Sequence, residues 1–111
     1  MKYSLFLDDE RFPDAVKWVD LPRKNWRIAR NFDQFVFNIE FNGLPEFISF
    51  DHDLGADPRT GLDCAKWLLK YCLRNNKEVP EFKVHSMNPI GAENIKCILN
   101  NCKRMKELGY E

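Results

Sequence analysis

Long apolar runs, a net charge and paired cysteine motifs are all missing from this sequence of 111 residues. No apolar run approaches the ~20 residues that cross a bilayer. The opening stretch MKYSLFLDDER is apolar for too few residues to be a secretory signal. Lysine plus arginine equals aspartate plus glutamate, at 17 each, so the basic excess of a nucleic-acid binder is absent. We therefore expect a cytoplasmic protein without a membrane or duplex nucleic-acid partner, and its oligomeric state stays open.

The four cysteines lack the spacing of a metal or redox site. None stands in a C-x-x-C pair, and all fall in segments with a helical pattern: Cys64, Cys72, Cys97 and Cys102. That spacing argues against a zinc site and against a disulfide framework. We expect reduced, mostly buried thiols that fill space in the core.

Short apolar runs alternate with longer amphipathic ones, which is typical of a parallel sheet covered by helices. The predicted strands are Tyr3–Leu7, Trp26–Arg30, Phe47–Asp51 and Glu81–Ser86. The predicted helices start at the caps Asn31, Thr60 and Asn88, and Gly43 marks the end of the first. Residues 11–25, with Pro13 and Pro22, fit either a short helix or an irregular loop. The right-handed crossover rule predicts one α/β domain over residues 1–111, with strand order 2-1-3-4 and helices on both faces.

Each predicted strand stops in polar residues. Asp8 and Asp9 follow the first strand, Asp51-His52-Asp53 ends and follows the third, and His85-Ser86 ends the fourth. The carboxyl ends of neighbouring parallel strands converge on one crevice, where ligands bind. If these strands are neighbours, their polar groups meet there.

A cluster of carboxylates needs compensating positive charge. Mg²⁺ or Mn²⁺ supplies it through a few carboxylate oxygens, waters and phosphate. The sequence therefore predicts metal ligands at Asp8, Asp9 and Asp51. The alternative is that these are solvated strand-end and cap residues.

The only two histidines of the chain both fall at this edge. His52 and His85 are candidate proton carriers near neutral pH, or else structural residues. The turn with Ser86, Asn88 and Gly91 leads into a helix, whose amino terminus can bind an anion.

Four blocks of the sequence resemble one known family in the expected order. They are LFLDDERFP, FISFDHDLG, TGLDCAKWL and VHSMNPIGAENI, and they resemble the cyclic-phosphate-processing receiver domains, an offshoot of the response-regulator receivers. The resemblance implies a flavodoxin-like three-layer sandwich. It assigns Mg²⁺ to Asp8 and Asp9, the phosphoacceptor position to Asp51 and a phosphoryl contact to Ser86. The offshoot's own motifs contain His52, Asp53, His85, Asn88 and Gly91.

The resemblance has two departures from ordinary receivers, one of which is a first helix that is poorly formed in sequence. Those domains carry a lysine at the end of a fifth strand, and here the fifth strand is missing. The family implies a Mg²⁺-dependent phosphoesterase acting on a cyclic phosphate or cyclic nucleotide, associated with prokaryotic and viral conflict. The catalytic candidates are Asp51, His52, His85 and Ser86, and the ligand-binding candidates are Asp53, Asn88 and Gly91. The alternatives are a binding module that leaves its ligand intact, as a sensor or sponge, and a degenerate phosphoaccepting receiver.

Overall fold

The sheet is parallel throughout and has the predicted order. A computed structural model describes residues 3–22 and 25–107, with side chains placed as far as residue 101 in the last helix. The strands are β1 (Ser4–Leu7), β2 (Trp26–Ala29), β3 (Phe47–Phe50) and β4 (Glu81–Val84), in the order β2-β1-β3-β4. β1 ends where predicted, whereas β2 and β3 end one residue earlier and β4 two residues earlier, because the polar residues at their ends leave the ladder.

Three α-helices alternate with the strands. They are α1 (Phe32–Asn42), α2 (Gly61–Arg74) and α3 (Pro89–Glu107), and a single 3₁₀ turn spans Pro13–Ala15. The predicted caps are confirmed: the Asn31 side chain accepts from the backbone N–H of Gln34 at 2.9 Å, and Thr60 forms a reciprocal capping box with Asp63. None of the helices within the described ranges is long and apolar enough to cross a membrane.

The main apolar core lies on one face of the sheet. Strand register pairs Leu5 with Ile48, which places both side chains on that face. Phe35 of α1, Leu68 of α2 and Ile95 of α3 belong to the same buried cluster. All three α-helices therefore pack against this face.

The opposite face is covered by the segment between β1 and β2. We expected helical cover here, but this segment forms only the 3₁₀ turn, since Pro13 and Pro22 interrupt it and its apolar residues lack helical spacing. Between it and Trp26 lies a cavity of about 920 Å³. The indole N–H of Trp18 ties the segment to the sheet by donating to the carbonyl of His85 at 2.8 Å.

Of the cysteine side chains that the structure describes, two are buried in the core, as expected, and one is exposed. Cys64 and Cys72 are buried in the core, and burial raises the pKa of the Cys64 thiol. Cys97 is free but exposed on the outer side of α3. The side chain of Cys102 lies outside the described residues.

Candidate metal and phosphate site

Three polar side chains from the ends of neighbouring strands meet on the face opposite the helices. Asp8 follows β1, Asp51 follows β3 and His85 follows β4. Side chains alternate along a strand, so these three continue the face that carries Phe6 and Ser49. Each offers a ligand atom within 4.8 Å of the other two, and all three residues are buried.

Asp8 is fully buried and uses both of its carboxylate oxygens. Oδ1 accepts from the backbone N–H groups of Glu10 at 2.9 Å and Arg11 at 2.8 Å. Oδ2 lies 2.9 Å from Nε2 of His85 and 3.2 Å from Nη1 of Arg11. Burial alone would raise the pKa of Asp8, but these hydrogen bonds to its charged form outweigh burial and hold the pKa well below its ordinary value. Asp8 is therefore an ionised carboxylate at neutral pH.

His85 is also fully buried, and both of its ring nitrogens are engaged. An ionised Asp8 only accepts, so Nε2 of His85 carries a proton. Nδ1 lies 2.6 Å from Oγ of Ser49, whose hydroxyl donates when the imidazole is neutral. The ring stacks on Phe6 at 4.6 Å. Ser49, His85 and Asp8 thus form a buried series of hydrogen bonds, and Asp8 connects His85 to the rest of the site.

Asp51 is 6% exposed and has a different electrostatic environment. Its Oδ1 accepts from the backbone N–H of His52 at 2.8 Å. Burial and then the negative charge of Asp8 raise the pKa of Asp51, against the opposing effects of the His52 N–H, His85 and Arg11. The two aspartates thus have pKa values pushed in opposite directions, which is common at functional sites.

Arg11 supplies a positive charge that the sequence reasoning missed. Nη1 of its guanidinium lies 3.2 Å from Oδ2 of Asp8 and 3.9 Å from Oδ2 of Asp51. The guanidinium carbon lies 5.5 Å from the centre of the Trp18 ring. The available sequence signal was the position of Arg11 directly after the Asp8-Asp9-Glu10 run. A turn at the end of a strand can place the side chain of a residue three positions later over the carboxylate.

Arg30 is a second residue that the sequence reasoning missed. Its Nη1 donates to the carbonyls of Asp8 at 3.1 Å and of Arg11 at 2.6 Å. Its guanidinium also lies over the Phe12 ring at 4.7 Å. Arg30 therefore fixes the backbone that carries both Asp8 and Arg11.

A second group of predicted residues gathers beside the first. The His52 ring lies against Gly91, where an added Cβ would clash with the ring. Its Nδ1 is 3.0 Å from Oδ1 of Asp53 and 3.5 Å from the amide nitrogen of Asn88. Oγ of Ser86 accepts from the N–H of Asn88 at 3.1 Å. The turn into α3 thus brings these five residues together, and their functional roles stay predictions.

Asp9 stands apart from the buried group. Its carboxylate packs beside Gly55, where an added Cβ would be 2.7 Å from Oδ2. Among the described residues, the clustered metal-type donors are Asp8, Asp51 and His85. The role of Asp9 as a metal ligand stays a prediction.

The opposite pKa shifts predict opposite effects of two matched substitutions. Asp51→Asn should raise the free energy of unfolding at pH 7 by on the order of 1 kcal/mol, because it removes a buried charge that repels Asp8. Asp8→Asn should lower it by about 2 kcal/mol, because an amide nitrogen cannot accept the hydrogen bonds of a carboxylate. Urea unfolding of both variants against wild type measures this.

The pH dependence follows from the same shifts. The folded-state pKa of Asp51 is raised, so the benefit of Asp51→Asn should grow as pH rises through that pKa and vanish below the ordinary value of 3.8. The pKa of Asp8 is lowered, so its contribution is present above the ordinary value and is lost as pH falls through the folded-state pKa. Equal effects of the two variants at pH 7 would contradict this assignment.

The donor set fits a hard divalent cation. Two buried carboxylates a few ångströms apart, with one guanidinium near both, leave a site where added positive charge is favourable. A metal ion there would be held by Asp8 and Asp51, while His85, hydrogen-bonded to Asp8, would orient the Asp8 carboxylate from its other side. This buried Asp-Asp-His group can thus bind a metal ion.

Comparison with known proteins gives a family for this fold and site. Searches of curated proteins and of solved structures found no match for the chain. One family model, described as "cyclic-phosphate processing receiver domain", matches residues 3–101 of the 111. That match covers all four strands and the whole acidic site. The chain belongs to the family of cyclic-phosphate-processing receiver domains.

Proposed function

We propose that the acidic edge of the sheet is a Mg²⁺- or Mn²⁺-dependent phosphoesterase site that hydrolyses a cyclic phosphate, such as a cyclic nucleotide. One observation carries the proposal: Asp8 and Asp51 are buried side by side, within 4.8 Å, in a family named for cyclic-phosphate processing. Two buried carboxylates this close together repel each other and destabilise the fold unless a cation neutralises their charge.

Each part of the site has a role in this proposal. Asp8 and Asp51 hold the metal, assisted by Asp9 at the rim. When bound, the metal polarises a phosphoryl oxygen and neutralises charge that develops there. Ser86 holds a non-bridging oxygen: its Oγ accepts from Asn88, which leaves its hydroxyl hydrogen free to donate to the ligand.

The reaction that these groups would support is ring opening by water. A water oxygen forms a bond to phosphorus, and one ester P–O bond of the ring breaks. The proton lost by water goes to a basic group of the site, for which a carboxylate oxygen of Asp51 that does not hold the metal is the candidate. The leaving oxygen gains a proton, for which His52, with Asp53 and Asn88 beside it, is the candidate. The product is a phosphate monoester.

One observation favours a second function, binding without hydrolysis. His85 has no exposed surface and both ring nitrogens are hydrogen-bonded, so it exchanges protons only with Asp8 and Ser49. A site in which His85 cannot pass a proton directly to a ligand can still bind a metal and a phosphate. A sensor or sponge for a cyclic nucleotide therefore uses the same residues.

A turnover experiment separates the two functions. We expect wild-type protein with 2′,3′- and 3′,5′-cyclic mononucleotides, cyclic dinucleotides and Mg²⁺ to convert at least one of them to a monoester, followed by ³¹P NMR. Asp8→Ala should reduce turnover at least about a hundredfold, because it removes a metal ligand. The exposed Asp14→Ala is the matched control and should keep wild-type turnover.

The alternative outcomes are distinct. Retention of an intact ligand in equilibrium dialysis without any monoester selects the binding module. Turnover that survives chelation of the metal by EDTA contradicts the metal-dependent mechanism. Neither turnover nor binding across the panel contradicts both functions.

A further inference from the structure

The hydrogen-bond capacity of Asp8 is already filled by protein donors. An ionised carboxylate has about four acceptor positions. Oδ1 uses two for backbone N–H groups, and Oδ2 uses two for His85 and for the guanidinium of Arg11. A metal ion that binds Asp8 must therefore displace one of these four donors.

Arg11 is the donor best able to leave. The two backbone donors are fixed by the turn that follows β1, and His85 is fully buried. The Arg11 side chain is 32% exposed, and its contact with Asp8 is the longest of the four at 3.2 Å. Its backbone stays in place because Arg30 binds its carbonyl at 2.6 Å. The guanidinium can thus move while the rest of the turn remains fixed.

The released guanidinium would stay beside the site. The centre of the Trp18 ring lies 5.5 Å from the guanidinium carbon, so this ring can hold the released side chain. The Trp18 indole N–H is itself hydrogen-bonded to the carbonyl of His85. A guanidinium is also the side chain that best binds the oxygens of a phosphate. No other arginine within the described ranges is paired with Asp51.

We propose that Arg11 is an exchangeable counter-ion of this site: it neutralises Asp8 and Asp51 until a divalent cation replaces it, and then binds the phosphate of the ligand. This deepens the proposed function and rests on its metal site. It makes Arg11 a competitor of the metal and a partner of the anion. Metal binding then precedes productive phosphate binding.

Binding measurements on Arg11 variants test both parts of the proposal, which are the competition of Arg11 with the metal and its contact with the phosphate. Arg11→Gln should bind Mn²⁺ about tenfold tighter than wild type, because the competing charge is gone, as measured from the electron paramagnetic resonance signal of free Mn²⁺. With saturating Mg²⁺, the same variant should bind inorganic phosphate about tenfold more weakly by calorimetry. Arg11→Lys keeps the charge and should stay near wild type for Mn²⁺.

The control is Arg74→Gln, which removes the same charge from an exposed position at the end of α2. It should leave both affinities unchanged, and circular dichroism checks that every variant is folded. Unchanged or weaker Mn²⁺ binding by Arg11→Gln overturns the exchange, as does unchanged phosphate binding. If wild type and all variants fail to bind Mn²⁺, the metal site of the proposed function fails, and this proposal fails with it.

Discussion

The free energy of unfolding of the Gly61→Ala variant should be lower than that of wild type by about 3 kcal/mol or more. A Cβ at position 61 would clash with the carbonyl oxygen of Asp51, which is backbone and cannot rotate away. The N–H of Gly61 also donates to the carbonyl of His52 at 2.7 Å, so α2 starts directly against the end of β3. The added methyl must push the helix away from the strand that carries Asp51. Urea unfolding measures the loss.

Gly91→Ala provides the matched comparison at the start of α3. There the added Cβ meets the His52 side chain, which can rotate. Alanine also favours a helix over glycine by about 1 kcal/mol, so the free energy of unfolding should change by less than about 1 kcal/mol. The ring of His52 should move away from Asn88, with a changed imidazole NMR shift. Equal stability losses at both glycines would show that backbone contact does not explain the effect at Gly61.

His85→Ala should lower the free energy of unfolding by about 3–5 kcal/mol. The substitution leaves the buried Oδ2 of Asp8 and Oγ of Ser49 without their common partner and removes the ring that stacks on Phe6. The other histidine is the control. His52→Ala should cost no more than about 1 kcal/mol, because its hydrogen-bond partner Asp53 is exposed. Urea unfolding at pH 7 compares the two.

A conservative substitution separates stability from chemistry at the same position. His85→Gln keeps an amide that donates to Asp8, so it should restore part of the stability lost in His85→Ala. If His85 passes protons through Asp8, turnover by His85→Gln should still fall about a hundredfold while ligand affinity stays near wild type. A wild-type turnover rate in His85→Gln would mean that His85 only positions Asp8 and does not transfer protons. A stable His85→Ala protein would contradict the buried series of hydrogen bonds itself.

The strand order and the convergence of Asp8, Asp51 and His85 could be predicted because they depend on local patterns. Apolar runs define strands, and polar residues at their ends define one edge of a parallel sheet. Alternation along each strand would also have placed Asp8, Asp51 and His85 on the same face.

The partners of those residues could not be predicted in the same way. The contact of Ser49 with His85, and that of Trp18 with the carbonyl of His85, join residues 36 and 67 positions apart. Such pairs depend on strand register and on the path of the β1–β2 segment, and neither follows from residue spacing. For the same reason, residue spacing leaves Arg11 in a segment that fits either a short helix or an irregular loop. A salt bridge three residues back to Asp8 becomes evident only when the turn is known.

The central position of β1 has a consequence for how the chain folds. Ser4 pairs with Trp26 on one side and with Phe47 on the other, so both neighbours of the first strand lie at least about 20 residues along the chain. Parallel neighbours cannot form a hairpin, and each pairing must close a long loop before it gains stability. Non-local pairing of this kind folds more slowly than a helical bundle of the same size. During synthesis, β1 emerges first and remains without a complete set of partners until residue 50 has been made.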